Sequence, residues 1–301
     1  MPKQLLLEDH IRKNKRDTIV ICTFMAILFL GVIFAFGFIY FGNIYIALLF
    51  GLPVAVVYVL VTYSFSVQTV ISAAKARPAN RQNREEKLLI YKVEEIAIAA
   101  GLPTPKVYVQ DSEYINAFAT GRKPEESIIC MTTGALHKLN STELEGVIGH
   151  EMSHIKNHDI LVATVTIGVV GAIASIVEIL WYSMFFGGAG RSRRNDGSAI
   201  ILVLAIVFII LAPIFSRLTY FAISRRREYL ADSNGAYLTR NPDGLAQALE
   251  KIKNDAPREK PKGSRTVAPL YIANPFNKMT HQSIWSTHPP IDERIRRLNE
   301  M

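Results

Sequence analysis

His150-Glu151-Met152-Ser153-His154 places two imidazoles four residues apart with a carboxylate between them. On an α-helix such imidazoles share one face, about 6 Å apart along the axis, so both reach a single cation. The pattern is H-E-x-x-H, in which two neutral imidazoles hold zinc and the carboxylate acts as general base toward a water on the same ion. Zinc lowers the pKa of bound water from ~15.7 to about 7, within reach of a carboxylate at neutral pH. The competing reading is an amphipathic helix that carries two histidines and a glutamate by chance, which five residues alone do not exclude.

Catalytic zinc takes three protein ligands and keeps one position open. The metzincin continuation requires glycine and histidine where Asn157 and Ile160 stand, so that branch is excluded. His158 follows His154 by four residues, but helix rotation carries it away from His150. There remains a carboxylate on a second helix. Glu228 qualifies, because Asp232 follows one turn later and can orient an imidazole.

The elements that position these groups are legible in outline. Asn140 and Ser141 start the motif helix, with Glu143 and Glu145 favourable in its first turn. Its apolar stripe is Leu144, Val147 and Ile148. The polar positions Glu143, Glu145, Lys156, Asn157 and Asp159 place the helix in water or at an interface, unlike the apolar motif helix of an intramembrane protease. Arg81–Ala100 is amphipathic and is stopped by Gly101 and Pro103. The β-rich runs Lys106–Gln110, Ile115–Thr120 and Ser127–Thr132 predict a small antiparallel meander. An edge strand through Asn116, Ala117 and Phe118 would pair with an extended peptide and hold it across the metal. The alternative is a meander that only covers the helix. Asn241 and Pro242 start a further helix, and a short one begins at Ile291.

Apolar segments surround these elements. Thr18–Phe41 is uncharged and long enough, at ~1.5 Å per residue, to cross about 30 Å of hydrocarbon. Ile44–Val70 forms a second span, interrupted by Pro53. Basic residues flank the pair on both outer sides, at Lys3 to Arg16 and at Lys75 to Arg84, and none lies in the turn. Both ends are therefore expected in the cytoplasm. Ile160–Phe186 and Ala199–Phe215 form a second apolar pair, joined by a loop with Arg191, Arg193 and Arg194. Glu178, alone in the first of these, is expected to face a protein-lined cavity.

The fold class expected is a mainly α membrane protein, with about four apolar helices and an α+β zincin-like catalytic domain containing the β-meander. The divisions are an N-terminal hairpin (1–75), the first catalytic part with the motif helix (76–158), the second hydrophobic hairpin (159–223) and the second catalytic part (224–301). The net charge of +8 fits membrane flanks, and no nucleic-acid module accompanies it. The two cysteines, Cys22 and Cys130, form no disulfide framework or metal spacing, which fits a reducing compartment.

With these motifs on the page, the chain resembles the HtpX-type heat-shock membrane metalloproteases, related to the CAAX prenyl proteases. The matching stretches are His150–Asn157, Ser224–Asp232, Asn116-Ala117-Phe118, His288-Pro289-Pro290 and the order of apolar segments. The resemblance covers essentially the whole chain. It implies one zinc ion on His150, His154 and Glu228, with Glu151 as base and Asp232 as support. It also implies His288 and Arg294 near the site, stabilising an oxyanion, although a Pro-fixed turn with a structural salt bridge would place them there too. The expectation is a multi-pass endopeptidase of the bacterial plasma (inner) membrane, part of a stress response, with its catalytic domain in the cytoplasm and misfolded or damaged membrane proteins as substrates. The alternatives are a prenyl-protein protease and an inactive assembly scaffold.

Overall fold

The computed structural model describes residues 44–168, 225–255, 263–274 and 288–301, together with Phe276, Val207 and isolated positions between 12 and 27. The first span, most of the second apolar pair, Glu178 and the Arg191–Arg194 loop lie outside the described residues.

Helix α1, Ile44–Ala74, continues through Pro53 instead of breaking there. Its segment Val56–Ala74 is long and apolar enough to cross a membrane, and it is the one such helix among the described residues. The expectation of about four apolar helices is thus met by one here. Leu49, Leu52, Val57, Leu60 and Phe65 are exposed apolar side chains, as a lipid-facing helix requires. Its last turns differ: Ser66, Val70, Ile71 and Ala74 are buried.

Lys75, with φ of 55°, turns the chain into β1, Ala76–Pro78. Helix α2, Arg84–Ala100, is capped by the Asn83 side chain and ends at left-handed Gly101. Strands β2 (Lys106–Gln110), β3 (Ala117–Thr120) and β4 (Ile128–Thr132) complete a four-stranded sheet in the order β1-β2-β4-β3. The sheet is mixed, not an antiparallel meander: β2 and β4 run parallel, while β1–β2 and β3–β4 are antiparallel. The reason lies in β4. It pairs with β3 as an antiparallel hairpin and lies against β2 in the same direction, which leaves the equally buried β3 on the edge.

Short helix α3, Thr133–Lys138, leads to the motif helix α4, Ser141–Lys156. A reciprocal capping box between Asn140 and Glu143 starts α4. Helix α5, Asp159–Gly168, follows directly. After the gap come α6 (Arg225–Thr239), α7 (Pro242–Asn254), a 3-10 turn over Arg265–Leu270, and α8 (Ile291–Asn299). Helix α4 is the core of this domain, not a helix lying in water. Two of its carboxylates are paired within the protein: Glu143 meets Lys251 at 2.7 Å, and Glu145 meets Lys92 at 2.5 Å. The main core packs Val147, Ile148, Met152 and Ile155 of α4 with Leu89, Val93, Leu245 and Leu249 from the flanking helices.

Candidate metal centre

Helix α4 presents His150 and His154 with their Nε2 atoms 3.2 Å apart. Each imidazole is gripped from behind. His150 Nδ1 lies 2.9 Å from Asp232 Oδ1, and His154 Nδ1 lies 3.0 Å from Asp159 Oδ2. A carboxylate at Nδ1 keeps the proton there, which turns both Nε2 lone pairs toward each other. Glu228 adds a carboxylate, with Oε1 3.5 Å from His154 Nε2 and Oε2 3.9 Å from His150 Nε2. One ligand atom from each of the three residues fits within 4.8 Å of the others. Two facing lone pairs and a buried carboxylate repel unless a cation sits among them, so the donor set fits a divalent metal.

The approach of α6 to α4 makes this possible. A Cβ on Gly235 would stand 2.7 Å from the His150 backbone nitrogen, and one on Gly149 would stand 3.0 Å from the Gly235 carbonyl. Only glycine permits the two backbones to touch there, and the contact sets Glu228, two turns earlier on α6, over the imidazoles.

Glu151 is 1 % exposed, and its Oε1 has no hydrogen-bond partner in the protein. Burial pushes its carboxyl up to about 7, only partly countered by the His154 charge, while the Glu228 charge raises it further. Burial would also raise Asp232, but the Arg294 charge and the hydrogen bond to His150 hold it at about 2. Arg294 is itself 1 % exposed. Its Nε and Nη2 donate to the two Asp232 oxygens at 2.8 and 2.7 Å, and its Nη1 donates to the Ile272 carbonyl. Its guanidinium is held on Asp232, and Nη1 also lies 3.8 Å from Glu228 Oε2. His288 does line the cleft, with Nδ1 3.0 Å from Glu228 Oε2.

The edge of β3 is partly filled by the chain itself. Ile272 N–H donates to the Ala117 carbonyl at 3.0 Å, and Asn116 Nδ2 donates to the Ala273 carbonyl at 2.7 Å. Phe118 points to the other face and stacks edge-on against Tyr271. The position where the edge meets the cleft is Ala119, the residue next to the Asn116, Ala117 and Phe118 expected from the sequence. Sequence reasoning missed Asp159, read as a solvated polar residue, and the glycine contact. The signal for Asp159 was a carboxylate in the turn just after a ligand helix.

A buried carboxylate beside three residues that could hold a metal ion fits a metallopeptidase-type centre. The family model "Peptidase family M48" matches residues 83–301. A "Protease HtpX homolog" of Caldanaerobacter subterraneus subsp. tengcongensis is 42 % identical over 307 residues, covering 100 % of this chain and 99 % of the relative. Another, of Thermoanaerobacter pseudethanolicus, is 40 % identical over 308 residues with the same coverage. The chain belongs to peptidase family M48 and, within it, to the HtpX-type membrane metalloproteases. Among solved structures, S. mikatae Ste24p covers 99 % of this chain and 67 % of its own, at 20 % identity and a TM-score of 0.48.

Proposed function

We propose that the metal is zinc, one per chain, held by His150, His154 and Glu228, and that the protein is an endopeptidase working at the cytoplasmic face of a bacterial inner membrane on misfolded or damaged membrane proteins. The observation that carries the reading is the convergence of both Nε2 atoms and the Glu228 carboxylate beside the unpartnered Glu151 oxygen. Two imidazoles and a carboxylate are a donor set that zinc favours, and bound zinc would polarise a peptide carbonyl and acidify a water.

Glu151 does the proton work. Its carboxylate takes a proton from the attacking water, holds it in a buried site where the neutral form is favoured, and returns it to the leaving amine. The outward edge of β3 at Ala119 is the place for an extended substrate backbone, and Asn116 and Ala117 hold the Tyr271–Ala273 segment that borders it. His288, in the cleft beside Glu228, is the group placed to stabilise the oxyanion. Arg294 supports it indirectly, by holding Asp232.

The adjacency of His154 and Glu228 supports an even number of crossings for the apolar stretch between them. The basic flanks support a cytoplasmic side. The experiment is zinc analysis of detergent-purified protein beside a proteolysis assay on a denatured membrane protein. Stoichiometric zinc with metal-dependent cleavage supports the reading. Zinc-free protein, or hydrolysis confined to prenylated C-terminal peptides, overturns it in favour of a scaffold or a prenyl-protein protease.

A further inference from the structure

The chain leaves α4 through Asn157 and His158, and His158 adopts φ of 57°, a left-handed conformation that is strained for a non-glycine residue. The turn swings Asp159 back beneath the helix it has just left, so that Asp159 Oδ2 meets His154 Nδ1 at 3.0 Å. The other oxygen, Oδ1, lies 3.7 Å from Arg227 Nη1. Asp159 is 8 % exposed, and both residues line the cleft. A carboxylate so far from water needs paired charge and hydrogen bonds, and it finds them in an imidazole on one side and a guanidinium on the other.

The arrangement repeats the one around His150, where Asp232 is backed by Arg294. There is one difference. Asp232 and Arg294 both belong to the C-terminal part of the domain. Asp159 and Arg227 stand at opposite ends of the long stretch that contains the second apolar pair, and Arg227 immediately precedes the ligand Glu228.

We propose that Asp159 is the positioning residue of His154 and that Arg227 fixes it, so that an ion pair joining the two ends of the 160–223 segment sets how tightly the site holds its metal. The inference rests on the metal reading above and extends it to residues outside the ligand set. Asp159 is also the first residue of α5, where a carboxylate favours the helix for its own sake. The test must therefore read metal affinity and not stability alone.

The full chain, purified in detergent, is stripped of metal and titrated with zinc against a chromophoric chelator. Asp159→Ala should raise the zinc dissociation constant about 10–100-fold, the usual cost of losing such a partner. Asp159→Asn, which keeps the shape and one acceptor oxygen, should fall between that variant and wild type, and it carries the test if the alanine variant does not fold. Arg227→Gln should weaken zinc in the wild-type background and have no further effect beside Asp159→Ala, because it acts through the missing carboxylate. Wild-type zinc affinity in both Asp159 variants overturns the inference and leaves the metal reading intact. Fully additive effects of the two positions overturn the role of Arg227. A wild-type chain that binds no zinc overturns both readings together.

Discussion

Gly235 of α6 lies against the backbone of His150 of α4, close enough that a Cβ there would sit 2.7 Å from the His150 nitrogen. Gly235→Ala should push α6 off α4 and carry Glu228 away from the imidazoles. The expected outcome is a loss of about 1–3 kcal/mol in stability, as for other overpacked sites, together with weaker metal binding. Thermal unfolding and zinc titration check it. An alanine variant with wild-type zinc affinity would show that the contact does not set the ligand geometry.

Glu151→Gln should keep the metal and lose most peptide hydrolysis, since the ligands stay and the base is gone. The same residue sets a pH dependence in chelator-treated protein. Its carboxyl is raised from 4.5 to about 7 by burial, so the folded form binds a proton more tightly than the unfolded chain does. That contribution to stability is fully present below pH 4.5 and is lost as pH rises through about 7. Metal-free wild type should therefore lose stability relative to metal-free Glu151→Gln across this window. Parallel unfolding curves for the two proteins would contradict the shifted carboxyl.

Asp232→Asn should weaken zinc by about 10–100-fold, because His150 loses the anion on its Nδ1. The amide is the cleaner substitution. It keeps the shape and one acceptor oxygen for Arg294, whereas both substitutions remove the charge that pairs with it, and breaking a buried pair costs about 3–5 kcal/mol of stability by itself, so zinc affinity is read beside stability. An unchanged zinc dissociation constant in Asp232→Asn would reduce Asp232 to a partner of Arg294.

Single cysteines at Ser141 and Asp243, in a background lacking Cys22 and Cys130, should be labelled only from the cytoplasmic side. Both positions belong to the domain that contains the metal centre, at the start of α4 and of α7. A cysteine at Ser192 reads the number of crossings between them: labelling from the opposite side means two, and labelling from the same side means none. Opposite-side labelling of Ser141 and Asp243 would be incompatible with Glu228 as third ligand.

The residues of the candidate metal site were legible because helical periodicity turns sequence spacing into distance. His150 and His154 are neighbours on one helix whatever surrounds it, and Glu228 with Asp232 repeats that logic on another. The sheet was less legible. Runs of β-rich residues mark strands, but burial does not give their order, since edge strand β3 and central strand β4 are both fully buried, and three-residue β1 carries too little pattern to be seen. Asp159 was hidden for a similar reason: burial turned an ordinary surface residue into an ion-paired one, and only the fold decides burial. The edge at Asn116 looked open because Tyr271–Ala273, distant in sequence, covers it.

Tyr271 also reaches the anchor. Its hydroxyl donates to Gln110 Oε1, Gln110 Nε2 donates to the Ala74 carbonyl at the end of α1, and Ser264 N–H donates to the Ala73 carbonyl. Val70 and Ala74 pack in one cluster with Phe118, Cys130, Val267 and Tyr271. The end of α1, the candidate membrane helix, is thus a wall of the enzyme's own interior. Cutting the chain after Ala74 to obtain a soluble fragment would strip that wall from the cluster around Phe118, a residue of β3, the strand that borders the cleft. The tether cannot be trimmed away from the machine it holds.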